Sequence, residues 1–365
     1  MNKAICLLLL LPLLANSSYG QGMEEETAAL TQVYTLEEAL DEEERELSGD
    51  LRIDGSYDAG GALARIWDKL RESVVQQFHG ELRFALGMVA AALLGSLASA
   101  LSPDGKIPGF IELAACCGLS LLLAGSLDSV INQATDTLDR LSDYSRAAMP
   151  AFFTAVAACG AVTSASAKYA AFCLAVDVFM SLSRRLIVPL IYAYLAISVS
   201  SSLFDNAMLR ATGRFTKWCA VTAMTAVTTV FGLYLSLAGL ISGSTDAVAV
   251  KTTRTVISSV LPVVGGILSD SAGMMLSAAG LIKNTAGVFS LIAVCALCVG
   301  PFAVLSVKML VFKAASAASE LCWGGRFSKL LGDLGTAFGM LLGLVGSFAV
   351  MLFLSIMSGI RVVSA

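Results

Sequence analysis

Charged side chains are scarce in this sequence. Asp, Glu, Lys and Arg make up 14% of its 365 residues, whereas 56% are hydrophobic and the mean hydropathy is +0.78. A soluble globular domain carries about 25% charged residues, because its surface must be solvated by water. Lipid is the environment in which a helix surface can do without charge. The composition therefore excludes a soluble enzyme and predicts an all-α, polytopic integral membrane protein.

Histidine and the short motifs of catalysis are also lacking. His79 is the single histidine, and the sequence contains no H-E-x-x-H, G-x-S-x-G, Walker A or G-x-G-x-x-G pattern. Basic residues interleaved with aromatic ones, which mark nucleic-acid-binding surfaces, are missing as well. We therefore expect a non-enzymatic protein with no catalytic residue, no cofactor and no nucleic-acid partner.

Nine cysteines are present, but their pattern does not favour a metal or redox site. Cys295 and Cys298 have C-x-x-C spacing within the apolar run Leu291–Val299, and no second ligand pair accompanies them. In such surroundings cysteine is typically a small buried hydrophobic residue. We therefore expect no bound metal.

The N-terminus has the layout of a secretory signal peptide. Lys3 precedes the apolar run Ile5–Leu14, and the small residue Gly20 follows that run. The run is too short to anchor the chain stably in a bilayer. Residues 1–20 are therefore predicted to be a signal peptide that is cleaved after Gly20.

Three further regions follow the signal peptide. Residues 21–60 are acidic and poor in large apolar residues, so we predict a largely disordered extracytoplasmic segment. In residues 61–82 apolar side chains recur every three or four positions, which predicts an amphipathic helix. That helix is predicted to lie along the membrane surface ahead of the first span, and the alternative is an ordinary packed helix. Residues 83–365 form the multi-span membrane domain.

The membrane domain contains apolar stretches of about the length that crosses a bilayer. Seven such stretches are Phe84–Leu101, Ile107–Leu127, Ala147–Ala167, Leu186–Phe204, Trp218–Ile241, Thr285–Val307 and Leu334–Ser358. Tyr169–Ser183 is apolar but short, and Val256–Asn284 is interrupted by Pro262 and several glycines. We predict seven or eight transmembrane helices, of which one is broken or re-entrant. The orientation of the second half stays open, because basic residues are nearly balanced between the two sides.

A stripe of small and polar residues follows Pro262. Its spacing of three and four residues keeps it on one helix face. The stripe consists of Gly266, Asp270, Gly273, Ser277, Gly280, Asn284 and Gly287. Small residues permit close helix packing, with polar side chains bonding between helices. Alternatively, the stripe lines a water-filled path, where an acid is tolerated at membrane depth. Both interpretations remain open.

A second stripe lies in the last apolar stretch. Gly335, Gly339, Gly343 and Ser347 recur every four residues. This spacing is typical of membrane helices that pack closely, and it indicates no activity.

In two runs, Pro262–Asp270 and Ile282–Gly287, the sequence resembles stage III sporulation protein AE of endospore-forming bacteria. The first run reads P-V-V-G-G-I-L-S-D and the second reads I-K-N-T-A-G. Together with the stripe that joins them, these runs mark a set of residues for helix packing or path lining. The set is Pro262, Gly265, Gly266, Ser269, Asp270, Gly273, Ser277, Gly280, Lys283, Asn284 and Gly287.

The resemblance implies a non-enzymatic membrane subunit of a channel-like complex that connects mother cell and forespore and supports late forespore development. The implied location is the mother-cell-derived membrane around the forespore, as a multi-pass protein. The implied partners are the other stage III sporulation A proteins and forespore protein Q, and the chain could also form a homo-oligomer. The alternative is a stand-alone secondary transporter that binds its substrate at a broken helix around Pro262–Asp270.

Overall fold

A computed structural model describes residues 36–49, 57–101, 107–159, 161–204, 206–260, 265–323 and 325–360. Nearly all of these residues are helical, and none of them lies in a β-strand, so the predicted all-α architecture is confirmed. The helices are α1 (Glu42–Ser48), α2 (Ala59–Leu101), α3 (Ile107–Ala158), α4 (Val162–Leu182), α5 (Val188–Phe204), α6 (Ala207–Val260), α7 (Gly265–Cys322) and α8 (Gly325–Ile360).

Local side-chain chemistry explains several helix boundaries. The Asp58 carboxylate accepts a hydrogen bond from the backbone N–H of Gly61 (2.9 Å) where α2 begins. Asn206 caps the start of α6 in the same way. A π-helical turn, Ser183–Ile187, joins α4 to α5. It lies just before Pro189, whose missing N–H cannot continue the α-helical hydrogen bonds, so the chain widens there without ending the helical rod.

The core of the bundle is built around α7 and α8. Along most of α8, one face of the helix is buried, and α7 packs beside it in the opposite direction. Phe312 of α7 lies 5.1 Å from Phe338 of α8, measured between ring centroids. Phe179 of α4 lies 5.3 Å from Phe348. Helices from both halves of the chain therefore close around α8.

The described residues contain fewer candidate spans than the sequence predicts. Five helical stretches are long and apolar enough to cross a bilayer: Ala59–Ala98, Val162–Phe204, Ala207–Leu237, Lys283–Cys322 and Gly325–Ile360. A sixth is α3, which bends by 44° between Leu123 and Gly125. The sequence therefore predicts seven or eight spans, whereas the described part of the chain contains five or six candidates.

Merged and interrupted stretches account for this difference. Tyr169–Ser183 and Leu186–Phe204, considered separately in the sequence, lie in one 43-residue rod, Val162–Phe204. The predicted span Ala147–Ala167 is interrupted, because α3 ends at Ala158 and α4 begins at Val162. Hydropathy averages over residues in sequence and does not register where a helix ends.

Part of the region before the first predicted span is helical. Helix α1 lies inside the segment 21–60 that the sequence predicts to be largely disordered. The amphipathic stretch 61–82 and the span Phe84–Leu101 form one helix, α2. Ala62 and Ile66 of α2 pack against Ile292 of α7. The first turns of α2 therefore pack on α7, and the membrane-surface location of residues 61–82 stays a prediction. The predicted signal peptide lies outside the described residues.

Candidate functional site

The residues singled out in the sequence lie along the first part of α7. Gly265, Gly266, Ser269, Asp270, Gly273 and Ser277 are on its helical backbone, and Pro262 lies outside the described residues. Gly280 is partly exposed, and a Cβ added there would meet none of the described atoms within 4 Å. Further along, Lys283 and Gly287 are buried and Asn284 is exposed. The described contacts of this region therefore concentrate at Lys283 and Gly287.

Two buried lysines converge on the C-terminal end of α8. The ammonium of Lys283 donates a hydrogen bond to the carbonyl of Ile360 at 2.9 Å, and Lys168 of α4 donates one to the carbonyl of Ser358 at 2.8 Å. Each lysine is only 3% exposed. The last carbonyls of a helix lack partners within it, and its C-terminus favours positive charge. The lysines satisfy both requirements.

The same end of α8 is tightly packed. A Cβ added to Gly287 would lie 2.6 Å from Cγ1 of Ile360 and 3.1 Å from Cε2 of Phe152. A Cβ added to Gly359 would also overlap the Phe152 ring. Real Cβ atoms essentially never approach other heavy atoms more closely than 3.0 Å. A side chain at either position would therefore force Ile360 or Phe152 to shift where α3, α7 and α8 meet.

A carboxylate holds the opposite end of α8. Glu112 of α3 accepts hydrogen bonds from the backbone N–H groups of Arg326 and Phe327, in the first turn of α8. Gly325 precedes them with φ = 81°, a left-handed conformation that suits glycine. An acid is the group that a helix N-terminus favours. Charges of the favourable sign therefore stand at both ends of α8.

The sequence pattern singled out Lys283 but not Glu112 or Lys168, which also bind the ends of α8. Glu112 and Lys168 are isolated charges in apolar stretches, and their partners lie 214 and 190 residues away along the chain. Their only sequence signal is a charge where lipid-facing residues are expected.

Two glycines of the second stripe, Gly335 and Gly339, lie at the interface of α8 with α7. A Cβ added to Gly335 would lie 3.2 Å from the backbone nitrogen of Lys313 and 3.3 Å from the carbonyl oxygen of Met309. At Gly339 it would lie 3.1 Å from Sδ of Met309. Gly343 has open space around it, and the hydroxyl of Ser347 bonds to the Gly343 carbonyl of its own helix. Close approach in the predicted stripe thus centres on Gly335 and Gly339.

A polar cavity of about 820 Å³ lies between α1, α2, α3 and α7. Four acids and two bases line it: Glu43, Glu44, Asp128, Asp136, Lys69 and Arg140. Gly300 and Pro301 of α7 form part of the opposite wall. Its size is in the range of small-molecule sites. No sequence pattern marks this cavity, because its walls come from four separate helices.

Polar contacts run along the junction of α3 with the α4–α5 rod. The Tyr192 hydroxyl donates to Asp128 at 2.7 Å, Arg184 pairs with Asp139, and Arg146 pairs with Asp177 at 3.1 Å. Residue numbers rise along α3 as they fall along the rod, so the two elements are antiparallel. These contacts hold charged side chains along much of the length of the bundle.

Helix α1 is attached to the cavity by ion pairs. Glu43 contacts Lys69 of α2 at 2.8 Å, and Arg140 of α3 contacts Glu44 at 3.0 Å and Asp41 at 3.1 Å. The hydrogen bond from Lys69 holds the pKa of Glu43 below its ordinary value of 4.5. Burial raises the pKa of Glu44 above that value. The acidic region before the membrane domain therefore forms part of the cavity wall.

Metal-binding chemistry finds no support within the described residues. They contain no group of three or more His, Cys, Asp or Glu side chains that could hold a metal ion. The eight cysteines among them, Cys295 and Cys298 included, are free thiols.

Helix composition, long apolar spans and charges that cap a central helix define the class as a multi-pass α-helical membrane protein. The family model of stage III sporulation protein AE matches residues 47–362. The chain therefore belongs to the stage III sporulation protein AE family, and it is a sporulation membrane protein. No curated protein and no solved structure is significantly similar to it.

Proposed function

We propose that this chain is a non-enzymatic, integral subunit of the channel-like complex that connects mother cell and forespore and supports late forespore development. The observation that carries the proposal is the family match over residues 47–362, which includes every described helix from α2 to α8. The proposed location is the mother-cell-derived membrane around the forespore. The proposed partners are the other stage III sporulation A proteins and forespore protein Q.

The architecture supports a role in an assembly rather than in catalysis. The ionisable groups with defined partners hold helices together: Glu112, Lys168 and Lys283 bind helix ends, and Glu81 pairs with Lys308 between α2 and α7. Large apolar side chains are exposed on α2 and α6, Leu94 and Val230 among them, and are available to lipid or to other membrane helices.

Affinity purification from sporulating cells tests the proposal. A tagged, functional copy of the chain should co-purify the other stage III sporulation A proteins and forespore protein Q. Its deletion should stop development after engulfment, and the tagged copy should restore it. Normal sporulation without the gene, or purification of the chain alone, would contradict the proposal. Solute transport by the purified chain alone would instead support a stand-alone secondary transporter.

A further inference from the structure

Helix α3 has two different faces between Gly125 and Arg146. On one face Ile131, Ala134 and Leu138 are at most 2% exposed and belong to the core. The other face is polar and mostly exposed, and its residues follow one another at spacings of three or four. This face consists of Asp128, Asn132, Asp136, Asp139, Asp143 and Arg146. Gly125 to Arg146 spans about 32 Å of helix, close to the thickness of a bilayer core.

Contacts fix the position of this polar face along the bundle. At one end, Asp128 contacts Tyr192, and nearby Tyr194 contacts Asp333 of α8. At the other end, Arg146 contacts Asp177, two residues before Phe179, which packs on Phe348. The polar face of α3 therefore runs beside the part of α8 between Asp333 and Phe348.

An apolar surface lies at the same height on α6. A Cβ added to Gly213 would contact Ile197, and one added to Gly232 would contact Leu354, so this part of α6 runs beside the same length of the bundle. Trp218, Val230 and Leu233 are each at least 60% exposed there. Lipid is the natural neighbour of these residues. One side of the bundle is thus apolar at the heights where α3 is polar.

The cavity places room for water against the polar face. Asp128, Asn132 and Asp136 line it, and Leu297 and Pro301 of α7 line its other side. Pro301 has no N–H with which to bond the carbonyl of Leu297, the residue four positions earlier. Backbone freed in this way is tolerated at membrane depth where it borders a water-filled space.

We propose that the polar face of α3, from Gly125 to Arg146, is the wall of a water-filled path within the membrane for small hydrophilic solutes, with a preference for cations. The preference follows from the cavity walls, where Glu43, Glu44, Asp128 and Asp136 outnumber Lys69 and Arg140. This inference rests on the proposed function, because it names the surface by which a transport subunit contacts its solute. It assigns this role to α3 and not to the small-residue stripe of α7.

Thiol accessibility in native membranes tests whether the face is wet. Asn132→Cys on the polar face and Trp218→Cys on α6, which is 61% exposed and five residues from Gly213 beside Ile197, form a matched pair at similar height, in a chain whose native cysteines are replaced. Water-soluble methanethiosulfonates are added to open membrane fragments from sporulating cells, so both sides are reached. Because the reactive thiolate forms in water, Asn132→Cys should react at least about tenfold faster.

Two other results would contradict the proposal that the polar face of α3 is exposed to water. Equal, fast labelling of both cysteines would place this height outside the bilayer. Slow labelling of both would mean that a partner or lipid covers α3. Neither result depends on sporulation or co-purification, so it is distinct from failure of the proposed function. Normal sporulation without the gene, together with fast labelling at Asn132→Cys alone, would overturn the proposed function and leave the wet face standing.

Reagent charge tests the cation preference. At Asn132→Cys the cationic methanethiosulfonate should react about tenfold faster than the anionic one, because a unit charge about 6 Å away in water attracts the first and repels the second. Adding Asp136→Asn, one helical turn away, should reduce that preference, whereas Asp143→Asn, farther along α3, should change it less. Equal rates for the two reagents, or no effect of Asp136→Asn, would overturn the preference.

Discussion

Lys168 and Lys283 show how single residues organise the centre of this protein. A buried ammonium without a partner is costly, and so is a buried carbonyl without a donor. Joining them satisfies both groups, and it places positive charge where the α8 dipole favours it. Sequence reasoning identified Lys283 from a short family-like run. It could not give the Ile360 partner, which is 77 residues away and offers only a backbone carbonyl.

We expect Lys283→Met to destabilise the protein, because methionine keeps an apolar stem but leaves the Ile360 carbonyl without its donor. An unsatisfied buried group costs about 1–3 kcal/mol. Asn284→Met is the matched control, since Asn284 is the adjacent residue and is exposed. Thermal unfolding in detergent measures both. Equal melting temperatures for the two variants would show that this hydrogen bond contributes nothing to stability.

Volume is the limiting quantity at Gly287 but not, within one chain, at Gly280. A Cβ at Gly287 meets Ile360 at 2.6 Å, whereas none of the described atoms lies within 4 Å of one at Gly280. Gly287→Leu should therefore abolish accumulation of the folded protein, with Gly287→Ala milder. Gly280→Leu should leave the purified chain stable. Immunoblots and thermal unfolding measure this contrast. A Gly280→Leu chain as unstable as Gly287→Leu would contradict it.

At the scale of elements, α1 was missed although it has a local signal. Asp41 and Glu44 form a capping box, the arrangement that commonly begins a helix. The acidic, apolar-poor composition around them predicts disorder and conceals this local signal. What stabilises so short a helix is tertiary contact with Lys69 and Arg140, two residues on later helices. Those contacts could not be inferred from the sequence of α1.

Docking of α1 should depend on pH through Glu43 and Glu44, whose ionised forms have opposite effects on it. The pKa of Glu43 is lowered by Lys69, so its contribution is fully present above pH 4.5 and is lost as the pH falls below that value. The pKa of Glu44 is raised because burial outweighs the attraction of Arg140, so its ionised form on balance opposes docking and protonation relieves that cost. Asp41 and Arg140 also face Glu44 and modulate its charge.

Hydrogen exchange of residues 42–48 in a Glu44→Gln background isolates the Glu43 effect. After correction for intrinsic rates, protection should fall about two- to fivefold below pH 4.5, as expected when an exposed ion pair is lost. Adding Glu43→Gln should remove this fall. Protection that is independent of pH in both variants would mean that the ion pair with Lys69 does not hold α1.

At the scale of the whole molecule, hydropathy identified apolar stretches but not the rods that contain them. The predicted spans stop at Leu127 and resume at Ala147, which implies a loop. The structure instead continues α3 through this interval. Its buried face carries Val130, Ile131 and Leu138 at helical spacing, but averaging over both faces hides the pattern. The polar side of the bundle was therefore missed for a physical reason.

Helix α8 links the two ends of the molecule, so its two caps test whether the bundle unfolds as one unit. Glu112→Leu removes the acceptor for Arg326 and Phe327, and Lys283→Met removes the donor to Ile360. The caps are about 50 Å apart along a 36-residue helix. They share no partner, so their losses should add to within about 0.5 kcal/mol if unfolding is cooperative.

Thermal unfolding of the two single variants and the double variant in detergent checks this expectation. Summed losses in the double variant would mean that α8 melts together with the helices around it. If the double variant melts at the same temperature as the less stable of the two single variants, the ends of α8 open independently, as foldons do. The second result would contradict a single cooperative bundle. It would also divide the protein at α8 into a half anchored by Glu112 and a half anchored by Lys168 and Lys283.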